Sequence, residues 1–313
     1  MRFVLDEDQR DFAAALQSLL AGSDPVRAAR AWAEGDHAPG LDLWKRLADL
    51  GVLSLATEAT PVEVAIAFEA LGRHAVPGPW IESAAYLPVA LGRAVEGVAT
   101  VALPPHVPHA LDADVADEVY VGSALITEVG EQLISVDPTR RLFRVAGAAG
   151  GAGDGPVDLD GPAREAFDLA VLATAAELLG AGERVLDDAV TYVKQRKQFG
   201  RQIGSYQAIK HALADVRIAL DFARPLVHGA ALGEVDVSAA KVACGDAAYL
   251  ASRTGLQVHG AIGYTQEFDL SLWLTRIRAL VTAWGTPDFH RGRLLASLVE
   301  PAGPARAVEA GAR

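Results

Sequence analysis

The sequence predicts a mostly α-helical protein with a small β unit between two helical ones. Three observations carry that prediction. Apolar residues recur at helical spacing over the first 95 residues and again from about residue 166, while between them the pattern shortens to β-branched runs broken by Pro, Asp and Gly. At 313 residues, the chain is long enough for more than one packed unit. The expected division is a helical domain over 1–95, a β domain over 96–165, a helical bundle over 166–302 and a flexible tail over 303–313.

In the first unit, Asp6 is placed to cap a helix carrying Phe12, Leu16, Leu19 and Leu20. A second helix holds Leu43, Trp44, Leu47 and Leu50 and stops at Gly51. A third opens at Pro61 and closes at Gly72, the order in which these two residues punctuate helices. Pro77, Gly78 and Pro79 then force a turn. The runs at 98–103, 118–129, 132–137 and 142–147 read as a small antiparallel sheet, and the glycine-rich stretch 147–156 reads as a linker.

The helical period then returns. Leu169, Leu172, Ala176, Leu179, Leu186 and Val190 mark a long helix with one apolar stripe. The next begins near Ser205, read as its N-cap, and Pro225 is expected to kink or end it. An alanine-crowded helix follows over 237–258, then a last one through Arg291 and Leu298. Trp44, Trp80 and Trp273 read as packing residues, and Arg276 and Arg278 as a solvated or interface face.

Several function classes are excluded. A net charge of −12 offers no basic face for nucleic acid. The lone cysteine, Cys244, forbids an internal disulfide and reads as a small buried filler, while His211 and His259 lack partners at metal-ligand spacing. The N-terminus carries acids where a signal peptide carries bases, and no run approaches the ~18 apolar residues of a membrane span, so a cytoplasmic protein is expected.

Two stretches carry more specific chemistry: YVKQRKQFGRQIGSYQAIKHALADV at 192–216 and LQVHGAIGYTQEFDLSLWLTRIRAL at 256–280. Arg196 can neutralise a phosphate with a forked, permanent charge. Phe199 offers a face to a base, Gln207 opens the next helix nearby, and Gln257 and Gly260 bring an amide and a bare backbone to the same kind of ligand. Both stretches resemble signatures of the acyl-CoA dehydrogenase family, in their order and spacing. The resemblance is good over 166–302, moderate over the N-terminal helices and poor in between. It implies an N-terminal helical domain, a middle β domain and a C-terminal four-helix bundle. It also implies that Arg196, Phe199, Gln207, Gln257 and Gly260 contact FAD held mainly by a neighbouring subunit.

The departures are informative. Family members run longer, and the T-E-P-x-x-G-S-D and W-I-T-N-G segments that hold the flavin ring have no counterpart in 96–165. Where many members carry a catalytic glutamate in Y-E-G-T, this chain has AWGT, so Trp284 stands in place of the base. Thr286 and Asp288 survive at positions that often touch flavin in the family. A subset of the family places its base on an earlier helix, which corresponds here to Asp246, three helical turns or roughly 16 Å from Gln257. The pattern resembles the short subunit of actinobacterial heterotetrameric acyl-CoA dehydrogenases of steroid breakdown. That resemblance implies a longer partner subunit, an acyl-CoA substrate, and electron-transfer flavoprotein or a similar acceptor. The alternatives are a self-sufficient homo-oligomeric enzyme with Asp246 as base and a non-catalytic scaffold without flavin.

Overall fold

The fold is that of a computed structural model, which describes residues 4–145 and 161–299; the glycine-rich stretch 147–156 and the tail 303–313 lie outside the described residues. The N-terminal unit comprises α1 (Glu7–Ala21), α2 (Pro25–Ala33), α3 (Ala38–Asp49), a short α4 (Leu55–Glu58) and α5 (Pro61–Arg73). Asp6 caps α1 as expected, in a capping box with Gln9, and Thr60 and Glu63 build the same device on α5. The turn after α5 leads into a buried π-helical turn, Glu82–Tyr86, continuous with α6 (Leu87–Leu91). Trp44 and Trp80 stack with ring centroids 3.7 Å apart in this core.

The β unit differs from expectation. Its strands are β1 (Ala99–Ala102), β2 (Ala110–Leu111), β3 (Glu118–Val121), β4 (Ala124–Ile126), β5 (Val129–Leu133) and β6 (Leu142–Val145). They form two sheets, ordered β1-β3-β4 and β2-β6-β5, and β1 pairs β3 in parallel rather than antiparallel. The segment between β1 and β3, which includes β2, is long enough for the crossover that a parallel pair needs. Buried Asp112 ties this unit to the N-terminal helices, accepting from Trp32 Nε1 at 3.1 Å and from Arg141 Nε at 3.2 Å.

The bundle is built from α7 (Pro162–Gln195), a hairpin of β7 (Lys197–Gln198) and β8 (Arg201–Gln202), α8 (Gln207–Ala231), α9 (Val237–His259), α10 (Leu270–Leu280) and α11 (Pro287–Val299). Instead of showing one stripe, α7 is buried all round from Ala170 to Gly182, because α5, α8, α9 and α10 pack about it. Its approach to α5 is backbone to backbone. A Cβ on Gly72 would meet Glu177 O at 2.0 Å, and one on Gly180 would meet Glu69 O at 1.9 Å. Ser205 is not the cap of α8, whose N-cap is Tyr206; the Ser205 hydroxyl instead donates to Gln202 O. Pro225 does not end α8, since the carbonyl it cannot serve belongs to Asp221, on the exposed face where solvent reaches it.

Arg276 overturns the expectation of a solvated face. It is 2% exposed and joins all three parts of the molecule. Its Nε donates to Asp137 at 2.7 Å, Nη1 to Glu177 at 2.8 Å and to Val76 O at 3.1 Å, and Nη2 to Thr139 Oγ1 at 2.7 Å. Arg278, two residues on and turned to the other side of α10, is exposed as expected. Cys244 is fully buried in the bundle core.

Candidate functional site

The hairpin between α7 and α8 is where the first group of candidate residues gathers. Arg196 ends α7, and its carbonyl accepts from Ile203 N at 2.9 Å, which closes the hairpin. The guanidinium of Arg201 lies 3.9 Å from the Tyr206 ring centroid and braces the same loop. Below it, Val193, Val258 and Ala189 form a small apolar cluster against Ile203, Ile209 and Leu213. This cluster fixes the end of α9 beside the hairpin, where Tyr192 stacks on His259 at 4.3 Å.

Arg196, Phe199, Gln207 and Gln257 therefore share one end of the bundle, with Gly260 turning the chain out of α9 at φ +64°. All four side chains are exposed, and none makes a hydrogen bond or ion pair with a described residue. Phe199 is the extreme case, 92% exposed and held at φ +51°, a conformation disfavoured for a bulky residue. A ring kept in solvent on a strained backbone is suited to being covered by something outside this chain.

Thr286 and Asp288 lie elsewhere. They open α11, where Thr286 Oγ1 accepts from Phe289 N at 3.2 Å. The α11 residue His290 bonds Ser238 Oγ at 3.1 Å, at the start of α9. The rise along α9 from Ser238 to Gly260 puts the two groups of candidates about 30 Å apart. Asp246 sits between them on the outer face of α9, two-thirds exposed (66%), its carboxylate bonded to Arg291 at 3.1 Å.

At the α11 end the chain leaves α10 through a tight turn that buries Trp284 completely, at φ +56°. Lys241 holds the turn, donating to Leu280 O and Val281 O at 3.0 Å each. Burial pushes its ammonium down to about 7. His290 Nε2 donates to Trp284 O at 3.0 Å; burial first, then the Lys241 charge, pushes this imidazole down to about 4. Since a carbonyl only accepts, the proton is on Nε2, and Nδ1 accepts from Ser238. Trp284 packs against Tyr86 and Phe167, with centroids 5.0 Å and 5.9 Å away.

The indole closes one side of a cavity of about 250 Å³ between the β unit, α10 and the π-helical turn. Sequence reading missed the polar groups that line it. Glu82 is 1% exposed, and its Oε2 has no hydrogen-bond partner. Burial raises its carboxyl above the usual range, only partly opposed by Arg140. The signal was available: a single carboxylate inside the apolar run WIESAAYLPVAL. Among the described residues, no group of three or more His, Cys, Asp or Glu is placed to hold a metal ion, and no helix is long and apolar enough to cross a membrane.

Known proteins add a decisive comparison. Residues 162–299 match the family described as acyl-CoA dehydrogenase, C-terminal domain. Acyl-CoA dehydrogenase IpdE2 of Mycobacterium tuberculosis is 32% identical over 292 residues, spanning 85% of this chain and 89% of its own. The chain belongs to the acyl-CoA dehydrogenase family. Among solved structures, the ChsE4–ChsE5 complex of M. tuberculosis matches with a TM-score of 0.76 at 21% identity, over 97% of this chain and 100% of that one. The steroid ACAD Tcur3481–Tcur3483 matches with a TM-score of 0.75 at 17% identity, over 94% and 98%. At those identities both show a shared fold.

Proposed function

We propose that this chain is a subunit of an FAD-dependent acyl-CoA dehydrogenase that lends the hairpin edge of its bundle to a flavin held mainly by a longer partner subunit. The observation that carries the reading is the separation of the two groups of candidate residues along α9. One group is exposed and faces away from this chain, while the other lies at the α11 end, where Trp284 closes one side of a cavity of about 250 Å³. That volume is below the 300–1,000 Å³ usual for a drug-sized ligand pocket. The hairpin edge does fit a dinucleotide: Arg196 supplies charge for a phosphate, Phe199 a face for adenine, and Gln207 and Gln257 polar groups beside them.

Bound FAD supplies the hydride-accepting half of α,β-dehydrogenation of an acyl-CoA. In this reading the α-proton is removed by a carboxylate of the partner, since Trp284 has no basic atom to offer and Asp246 is engaged by Arg291. Apolar side chains exposed on α8, α9 and α11, among them Ile218, Phe222, Leu250 and Leu298, support a subunit interface along the bundle. The fold shared with a steroid ACAD and with a two-protein complex favours a bulky, steroid-derived acyl group and a heterotetrameric assembly. Electron-transfer flavoprotein or a similar carrier would reoxidise the flavin.

The test is flavin retention. Arg196→Ala in the assembled complex should lower FAD content after extensive dialysis while leaving the subunits associated. Flavin absorbance equal to wild type would remove the hairpin from the site.

A further inference from the structure

The cavity behind Trp284 is chemically equipped for a ligand that the proposed flavin-sharing role does not use. Its polar lining includes two donor-only groups, the Arg140 guanidinium and the Trp284 indole N–H, beside Glu82, His106, His109, Ser135 and Thr282. Arg140 is 8% exposed and has no ion pair with a described residue, although it is the charge that Glu82 feels most. Glu82 itself projects from the first residue of the π-helical turn, an irregularity that recurs at functional sites in helical proteins. Burial of Glu82 works against its ionised form, and its charge would be the main one opposing Arg140 here. The indole Nε1–H of Trp284 is likewise buried without a partner.

Other titratable groups on the wall do not oppose a negative guest. His106 and His109 are both held below the ordinary imidazole value by burial, with Arg293 and Arg144 adding to the effect. No carboxylate of the described residues lies within ion-pair distance of Arg140. Around these groups the wall is apolar, with Val107, Leu111, Val136, Leu142 and Ala283. The volume of about 250 Å³ exceeds the roughly 150 Å³ that accepts a benzene ring. A guest of about ten non-hydrogen atoms fits, with one anionic end and an apolar body.

We propose that this cavity binds a small carboxylate with an apolar body, its carboxylate held by Arg140 beside the Trp284 indole N–H. Oxygen acceptors match the unpaired guanidinium and indole donors, and a forked guanidinium suits a carboxylate's two oxygens. The body displaces water from the apolar wall, which a phosphate or sulfate would not do. No covalent step is implied, and the site is independent of whether FAD binds at the hairpin.

Isothermal titration of the full chain, in its assembled complex where one forms, tests this with benzoate as probe. Benzamide serves as the uncharged comparator of the same shape. The expected result is saturable benzoate binding in the sub-millimolar to millimolar range, with benzamide at least about tenfold weaker, as loss of a charge-assisted pair of bonds predicts. Arg140→Gln should remove the preference for benzoate, and Val136→Trp, at the exposed rim, should block the cavity and weaken benzoate at least about tenfold. Absence of benzoate binding, equal affinity for benzamide, or full binding by the Val136→Trp chain would each overturn the proposal. If Arg140→Gln does not fold, the benzoate–benzamide ratio in the wild type and the Val136→Trp result still decide it.

Discussion

Replacing Arg276 by Met tests the buried knot that joins the three parts of the fold. Met fills a similar length of channel but carries neither charge nor donors, so its direct effect is to orphan what the guanidinium serves. Four bonds go, to Asp137, Glu177, Thr139 and Val76 O, and the two carboxylates are 0% and 5% exposed as side chains. Removing one partner of a buried pair costs about 3–5 kcal/mol, and an orphaned buried carbonyl a further 1–3 kcal/mol or so. Protonation limits the first figure: neutralising a carboxylate at pH 7 costs about 1.4 kcal/mol for each unit between its ordinary value and the solution, or about 4 kcal/mol. The expected loss at pH 7 is therefore about 4–7 kcal/mol. This route also fixes the pH dependence. In Arg276→Met the folded state holds a proton that the unfolded state has released, so stability rises as the pH falls and the deficit at pH 5 is about 2–3 kcal/mol smaller than at pH 7. Urea unfolding followed by circular dichroism at both pH values measures it. Asp137→Asn added to Arg276→Met should recover part of the loss at pH 7. A deficit below about 1 kcal/mol, or one identical at the two pH values, would refute the uncompensated-charge argument.

Gly180→Ala should destabilise by about 1–3 kcal/mol or more, because the added methyl meets the Glu69 carbonyl and neither helix backbone can yield without parting α5 from α7; thermal unfolding reads this directly. Acidification below pH 6.5 should destabilise the fold through His290, whose unfolded form takes up a proton near 6.5 while the buried form resists until about 4. The stability it contributes is present above 6.5 and lost towards 4, with a slope of at most about 1.4 kcal/mol per pH unit that flattens in His290→Gln. Asp246→Asn should leave turnover of the assembled enzyme within about threefold, whereas loss of a general base costs 10²–10⁴-fold or so. A hundredfold loss with flavin content intact would place the base in this chain.

Local rules made much of the fold legible, and they failed where partners distant in sequence decide. Asp6, Pro61 and Gly72 act on their own helices, so their punctuation could be read directly. The helix α2 escaped because its inward face is mostly alanine, with Trp32 the one large apolar residue, and alanine adds little to a hydrophobic period. The run from Trp80 to Leu91 has no period at all, being buried almost throughout, so pattern reading could not see the π-helical turn, and its carboxylate stood out only as the single charge in that run. Arg276 shows the same limit in sharper form. An arginine on a helix is exposed by default, and only Asp137 and Glu177, respectively 139 and 99 residues away, make its burial tolerable. For the site, the hairpin residues were readable as a group because they lie within two short stretches of sequence. That Thr286 and Asp288 belong to a different end of the bundle was not, since only the length of α9 separates them from Gln257. The same length constrains function. A side chain reaches several ångströms, not the about 30 Å between the two ends, so one small ligand cannot touch both groups.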